Sequence, residues 1–277
     1  MKSADARCWD RDLLLASPPF AAVQGILNLL PKGTFPEIRL LNRIATERGI
    51  VTGGGKALRF VIAGEHARAV AQPYEVRVFE TGEVPSRASS WHDVFNALAW
   101  LTFPRTKAVV NRRHYEELRK RRGEQLRGTA RDVLTLFDEG GMLVACAEPS
   151  LAALLRGFRW KELFWQRRSD VRAAMRFHVF GHAILESALA LFRGVTAKAL
   201  IVDVTGAEIA LPVEALNAVL DARAAEYFSL PDSLASTRTL APLPVLGIPG
   251  WTPDNEDPAY YDDVEHFRPG RRRQGSG

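Results

Sequence analysis

The chain has 277 residues, 47% apolar and 25% charged, with a formal charge of +5. This is ordinary globular composition, with material for a sizeable core. No run of about 18 uncharged apolar residues occurs, so a membrane-spanning helix is not expected.

The apolar run Leu13–Ala16 is too short for a secretory signal, and Asp10 and Asp12 stand where such a signal carries positive charge. Cys8 and Cys146 are the only cysteines and form no metal-type or redox-type pair. Two free thiols point to a reducing cytoplasm. The charge is unevenly spread. Pro104–Arg131 holds ten Lys/Arg against three Glu, whereas Asp254–Glu265 holds six acids and no base.

In chain order, Glu37–Glu47 spaces Ile38, Leu41 and Ile44 as a helix does. Gly53–Gly55 reads as a flexible turn before a strand over Leu58–Ile62. It lacks the Gly-Lys-Ser/Thr ending of a phosphate loop, because Ala57 follows Lys56. Tyr74, Val76 and Val78 alternate, which predicts a strand over Tyr74–Glu80.

Ser90 suits a helix N-cap, with Asp93 as a capping-box partner, and that helix runs to about Leu101. Phe103-Pro104 breaks it, and Pro104 opens a second helix reaching about Arg122. Val133–Phe137 and Met142–Cys146 flank Asp138-Glu139-Gly140-Gly141 as a β-hairpin would. Short helices follow over Ser150–Arg156 and Trp160–Arg167. A strand over Phe177–Phe180 feeds a helix over His182–Phe192. A strand at Ala199–Val204 and a helix at Val213–Tyr227 come next. Beyond Leu240 the chain turns rich in proline, glycine and acids, with Trp251, Tyr260, Tyr261 and Phe267 as anchors of an irregular strap.

A hairpin together with alternating strands and helices predicts an α+β fold. The expectation is one domain over 1–269, with a mixed or antiparallel sheet, packed helices and the C-terminal strap. A disordered basic tail over 270–277 follows it.

Candidate site residues concentrate in Trp91–His114. His92, Asp93 and Asn96 share one helix face, and Lys107, Asn111 and His114 form a stripe on the next. Two stripes joined at Phe103-Pro104 would bring together the proton acceptors and cation that acid–base catalysis or anion binding requires. Each residue alone also fits a cap or a solvated face. Asp138 and Glu139 form the second candidate, as an acid–base pair, cation ligands or simple turn residues. His178, His182 and Glu186 form the third. One continuous helix would align all three as metal ligands. A new element at Gly181 leaves only His182 and Glu186 as an i,i+4 pair. No nucleophile elbow, zinc-protease or dinucleotide motif is present.

The segments Trp91–Lys107 (WHDVFNALAWLTFPRTK), Thr135–Gly140 (TLFDEG), Val179–Glu186 (VFGHAILE) and Pro242–Asp263 (PLPVLGIPGWTPDNEDPAYYDD) resemble a bacterial family called Domain of Unknown Function 3025. The resemblance implies one domain over nearly the whole length and carries no assigned reaction or cofactor. It places His92, Asp93, Asn96, Lys107, Asp138, Glu139, His182 and Glu186 within the family's motif blocks, and favours His182 over His178.

Two functions remain open at this level. One is a hydrolase or phosphate-handling enzyme taking a small-molecule or phosphate-containing ligand at the His/Asp/Asn/Lys site. The other is a non-catalytic binding or regulatory protein using the basic helix surface. Nucleic acid fits that surface less well, because Tyr115 is the one aromatic residue interleaved with the bases.

Overall fold

The computed structural model describes residues 8–64, 72–120 and 128–270. Near the N-terminus lie α1 (Arg11–Ala16), α2 (Gln24–Leu27) and α3 (Ile38–Glu47). Strand β1 (Arg59–Ile62), helix α4 (Tyr74–Thr81) and strand β2 (Glu83–Ser86) follow. The central part holds α5 (Trp91–Thr102), α6 (Pro104–Lys120), α7 (Thr129–Gly140), β3 (Gly141–Cys146) and α8 (Pro149–Arg156). Then come α9 (Arg168–Ala174), β4 (Met175–Val179), α10 (His182–Ser187), β5 (Thr196–Asp203), α11 (Gly206–Ile209), α12 (Val213–Ser229) and β6 (Ala241–Pro244). The fold is α+β. Among the described residues, no helix is long and apolar enough to cross a membrane.

Two sheets carry the strands. β1 and β2 form a small parallel pair, and the main sheet runs β4-β3-β5-β6. In it, β3 pairs antiparallel with β4 and parallel with β5, and β5 pairs antiparallel with β6. Every residue of β3 is buried, as a central strand covered on both faces requires. Its period of two divides the core. Met142, Val144 and Cys146 pack with Phe95, Trp100 and Phe164 on one side. Leu143 and Ala145 pack with Phe137, Phe180 and Phe228 on the other.

Four sequence expectations need correction. Tyr74–Thr81 is a helix: Pro73 precedes it, and Gly82, with φ 77°, ends it in the left-handed conformation a helix C-terminus favours. The alternation of Tyr74, Val76 and Val78 gave way to that punctuation and to packing against α6. The hairpin is also absent. Val133, Leu134 and Phe137 are buried on one face of α7, and that spacing suits a helix as well as a short strand. The helix after Gly181 ends at Ser187, with a 3-10 turn over Ala188–Ala190. Finally, β6 draws the start of the C-terminal strap into the main sheet. Short 3-10 turns follow it, and Tyr260, Tyr261 and Phe267 are buried in the core.

Other expectations agree with the structure. Ser90 caps α5 by accepting from Asp93 N at 3.3 Å, and α6 begins at Pro104. Gly53 and Gly54 lie where a Cβ would meet Ala108 O at 2.5 Å and Phe79 O at 1.9 Å. Close backbone approach to α4 and α6 therefore accounts for these glycines, in keeping with a turn. The basic tail over 271–277 and the 121–127 part of the basic segment lie outside the described residues.

Candidate functional site

Helix α6 presents a polar stripe to the interior: Thr106, Lys107, Asn111, His114 and Glu117 are all buried. Polar groups are retained in such places when they are paired, because an unpaired one costs several kcal/mol. Two backbone donors at the start of α6, Arg105 N and Thr106 N, bond the carboxylate of Asp221 on α12 at 3.0 and 2.8 Å. The helix is thereby anchored, and its stripe faces α4 and α7.

Lys107 is the hub of this stripe. Its side chain is 3% exposed and donates to Asp138 Oδ1 at 2.7 Å and Asn96 Oδ1 at 2.9 Å. The amide nitrogen of Asn96 donates to the Tyr74 hydroxyl at 3.0 Å. Burial opposes the charge on Asp138, but the Lys107 ammonium and the nearby His182 outweigh it and hold the carboxyl below its usual range. The stripes expected from α5 and α6 thus meet through Asn96 and Lys107.

Asn111 donates to the backbone oxygen of Glu75 at 3.0 Å and to its carboxylate at 2.6 Å. Burial pushes the Glu75 carboxyl up to about 7, and the negative Asp138 adds to the rise. Burial and the neighbouring Glu75 also raise the Tyr74 phenol well above its ordinary value.

A second cluster adjoins this network, because Asp138 and Glu139 are consecutive at the end of α7. Glu139 Oε2 lies 3.2 Å from His182 Nε2. The His182 hydrogen bond draws the Glu139 carboxyl below its usual range. The His182 and His92 rings meet edge to face, with centroids 4.5 Å apart and planes at 82°. His92 Nδ1 lies 3.1 Å from Glu186 Oε2. The mouth is open: the side chains of His92, Glu139 and Glu186 are 37%, 46% and 46% exposed, whereas that of His182 is 5% exposed.

Three elements meet here, α5, α7 and α10. Gly181 makes the junction close: a Cβ there would lie 2.3 Å from Glu139 O, and its N–H donates to Gly141 O at 2.8 Å. One ligand atom each from His92, Glu139 and His182 can be chosen so that all three lie within 4.8 Å of one another.

A family described as a protein of unknown function, DUF3025, matches residues 58–271. The chain belongs to that family. No curated protein and no solved structure matches it. The DUF3025 span includes every residue of both clusters.

Sequence reasoning named most of these residues but misassigned some partners. Asp93 stays outside the group. It accepts from Arg87 N at 2.7 Å and from the Arg87 guanidinium at 2.8 and 2.9 Å, so it tethers the turn before α5. Glu186 shares a helix with His182 but turns its carboxylate to His92. His178 lies on β4, bonded to Asn217 Oδ1 at 2.6 Å, with burial pushing its imidazole down to about 4. Tyr74 and Glu75 were missed because their segment read as a strand. The Pro73 and Gly82 punctuation was the signal that would have placed them on a helix facing α6.

Proposed function

We propose that this DUF3025 protein is a hydrolase of small esters or phosphoesters, working at the mouth formed by His92, His182 and Glu139. One observation carries the reading: two imidazoles in edge-to-face contact, each against its own carboxylate, with His92 part-exposed and His182 buried, beside a buried Lys107–Asp138 pair. Such an arrangement suits proton transfer in both directions. An imidazole takes a proton from water as the water oxygen attacks the substrate, then returns it to the leaving group.

The buried network supports that role. Lys107 keeps Asp138 ionised, and that carboxylate lies close to His182. Glu186 orients His92. Glu75, raised to about 7, exchanges its proton near neutral pH in the same network.

The basic-surface reading receives less support. Lys107, Asn111 and His114 of α6 face the interior. Arg112 and Arg113 lie near Glu116 and donate to Ser229.

The test is a panel of carboxylic esters, phosphomonoesters and phosphodiesters assayed with the wild type, His182→Ala and Asp138→Asn. Turnover of one class, reduced by about 100-fold or more in both variants, is the expected result. No turnover in any class, or turnover untouched by both substitutions, would contradict the reading.

A further inference from the structure

The mouth has a property that proton transfer alone does not require. Three of its side chains, His92, Glu139 and His182, come from three separate helices and bring one ligand atom each within 4.8 Å of one another. We propose that His92, His182 and Glu139 bind one divalent transition-metal ion, with zinc as the best chemical match, and that Glu186 orients His92 without being a ligand. As a source of activated water this deepens the hydrolase reading and rests on it; the binding itself does not.

Geometry is the first argument. A tetrahedral zinc ion lies about 2.0–2.1 Å from nitrogen and oxygen ligands, which sets those ligands roughly 3.3 Å apart. His182 Nε2 and Glu139 Oε2 stand 3.2 Å apart. His92 completes the triad, the three ligand atoms lying within 4.8 Å of one another. Its side chain is part-exposed.

The preparation of the ligands is the second. A ligating histidine characteristically gives its other ring nitrogen to a carboxylate or carbonyl, which fixes tautomer and orientation. His92 does this: Nδ1 is held by Glu186 at 3.1 Å, leaving Nε2 for an ion. His182 begins α10, buried, with Nε2 at 3.2 Å from Glu139 Oε2. Gly181 is wedged against Glu139 O and Gly141 N, so the ends of α7 and α10 are held in one relation. His182 Nδ1 is buried with no hydrogen-bond partner among the described residues.

Charge is the third. The mouth carries two carboxylates, Glu139 and Glu186, while Lys107 balances Asp138 behind them. With neutral imidazoles, a divalent cation would balance the two open carboxylates. Imidazole nitrogen favours zinc and its transition-metal neighbours over magnesium or calcium, which prefer all-oxygen shells. Three protein ligands leave a tetrahedral ion one open position for water or a substrate oxygen.

The experiment is equilibrium dialysis of the metal-stripped full chain against zinc, with bound metal counted by mass spectrometry and folding followed by circular dichroism. The wild type should retain one zinc per chain, undisplaced by excess magnesium. His92→Ala and Glu139→Ala should each lose it, and both residues are exposed enough for the variants to fold. Glu186→Gln should weaken binding roughly 10- to 100-fold without abolishing it. Asp93→Asn, outside the cluster, should bind as the wild type does.

No zinc on the wild type, or zinc unaffected by His92→Ala and Glu139→Ala, would overturn the proposal. Hydrolysis by a chain that binds no zinc would remove the metal and leave the acid–base hydrolase standing. One zinc per chain, lost with the ligand substitutions but without hydrolysis of any substrate class, would establish the metal site and remove the hydrolase.

Discussion

Glu75 makes the protein's stability depend on pH in a direction opposite to an ordinary paired carboxylate. Its folded carboxyl titrates near 7 against an ordinary 4.5, because burial and Asp138 disfavour its charge. The folded state therefore binds a proton at Glu75 that the unfolded state has released between those values. This contribution is fully present below about pH 4.5 and is lost as pH rises through about 7. At about 1.36 kcal/mol per pH unit, a gap of about 2.5 units amounts to about 3 kcal/mol.

Glu75→Gln removes the titration and keeps an oxygen to accept from Asn111. Comparing variant with wild type cancels the other titrations to first order. Urea unfolding followed by tryptophan fluorescence at pH 5 and pH 8 measures the difference. The variant should gain about 2–3 kcal/mol on the wild type between those two values. A difference that stays constant with pH, or that moves against the variant as pH rises, would refute the buried-carboxyl account.

Two further predictions concern Lys107 at the hub of this network and His178 on β4. Lys107→Met should destabilise the protein by about 3–5 kcal/mol, because Asp138 would be left as a buried charge without its cation. Adding Asp138→Leu should recover much of that loss, and a double variant no more stable than the single would contradict the pairing. His178 should stay neutral to about pH 4 in an NMR titration of the folded chain. Since the unfolded imidazole protonates near 6.5, its contribution is present above that value and falls by about 3 kcal/mol as pH drops toward 4. A folded midpoint near 6.5 would refute it.

What the sequence made legible follows from which signals are local. The Ser90 cap, the Phe103-Pro104 break and the start of α6 are set by neighbours within a turn, and they appear as expected. Asn96 and Lys107 meet because those local features fix the corner between α5 and α6. Short apolar runs are different. Val133–Phe137 and Tyr74–Glu80 satisfy both periods, and the choice falls to long-range packing against β3 and α6. Partner choice is also non-local. Asp93 looks like a capping-box member until Arg87 folds back onto it. Glu186 looks like the metal partner of His182 until α5 brings His92 within 3.1 Å. Glu139, read as part of a hairpin loop, reaches His182 because α7 ends where Gly181 lets α10 come close.

The most direct test of the site is X-ray absorption at the zinc edge on the chain loaded with one equivalent of zinc. The account predicts a low-coordinate shell of nitrogen and oxygen at about 2.0–2.1 Å, with the outer scattering of two imidazoles. That imidazole signal should disappear in His92→Ala, which no longer holds the ion. A shell containing sulfur near about 2.3 Å, from Cys8 or Cys146, or an oxygen-only shell without imidazole, would contradict it.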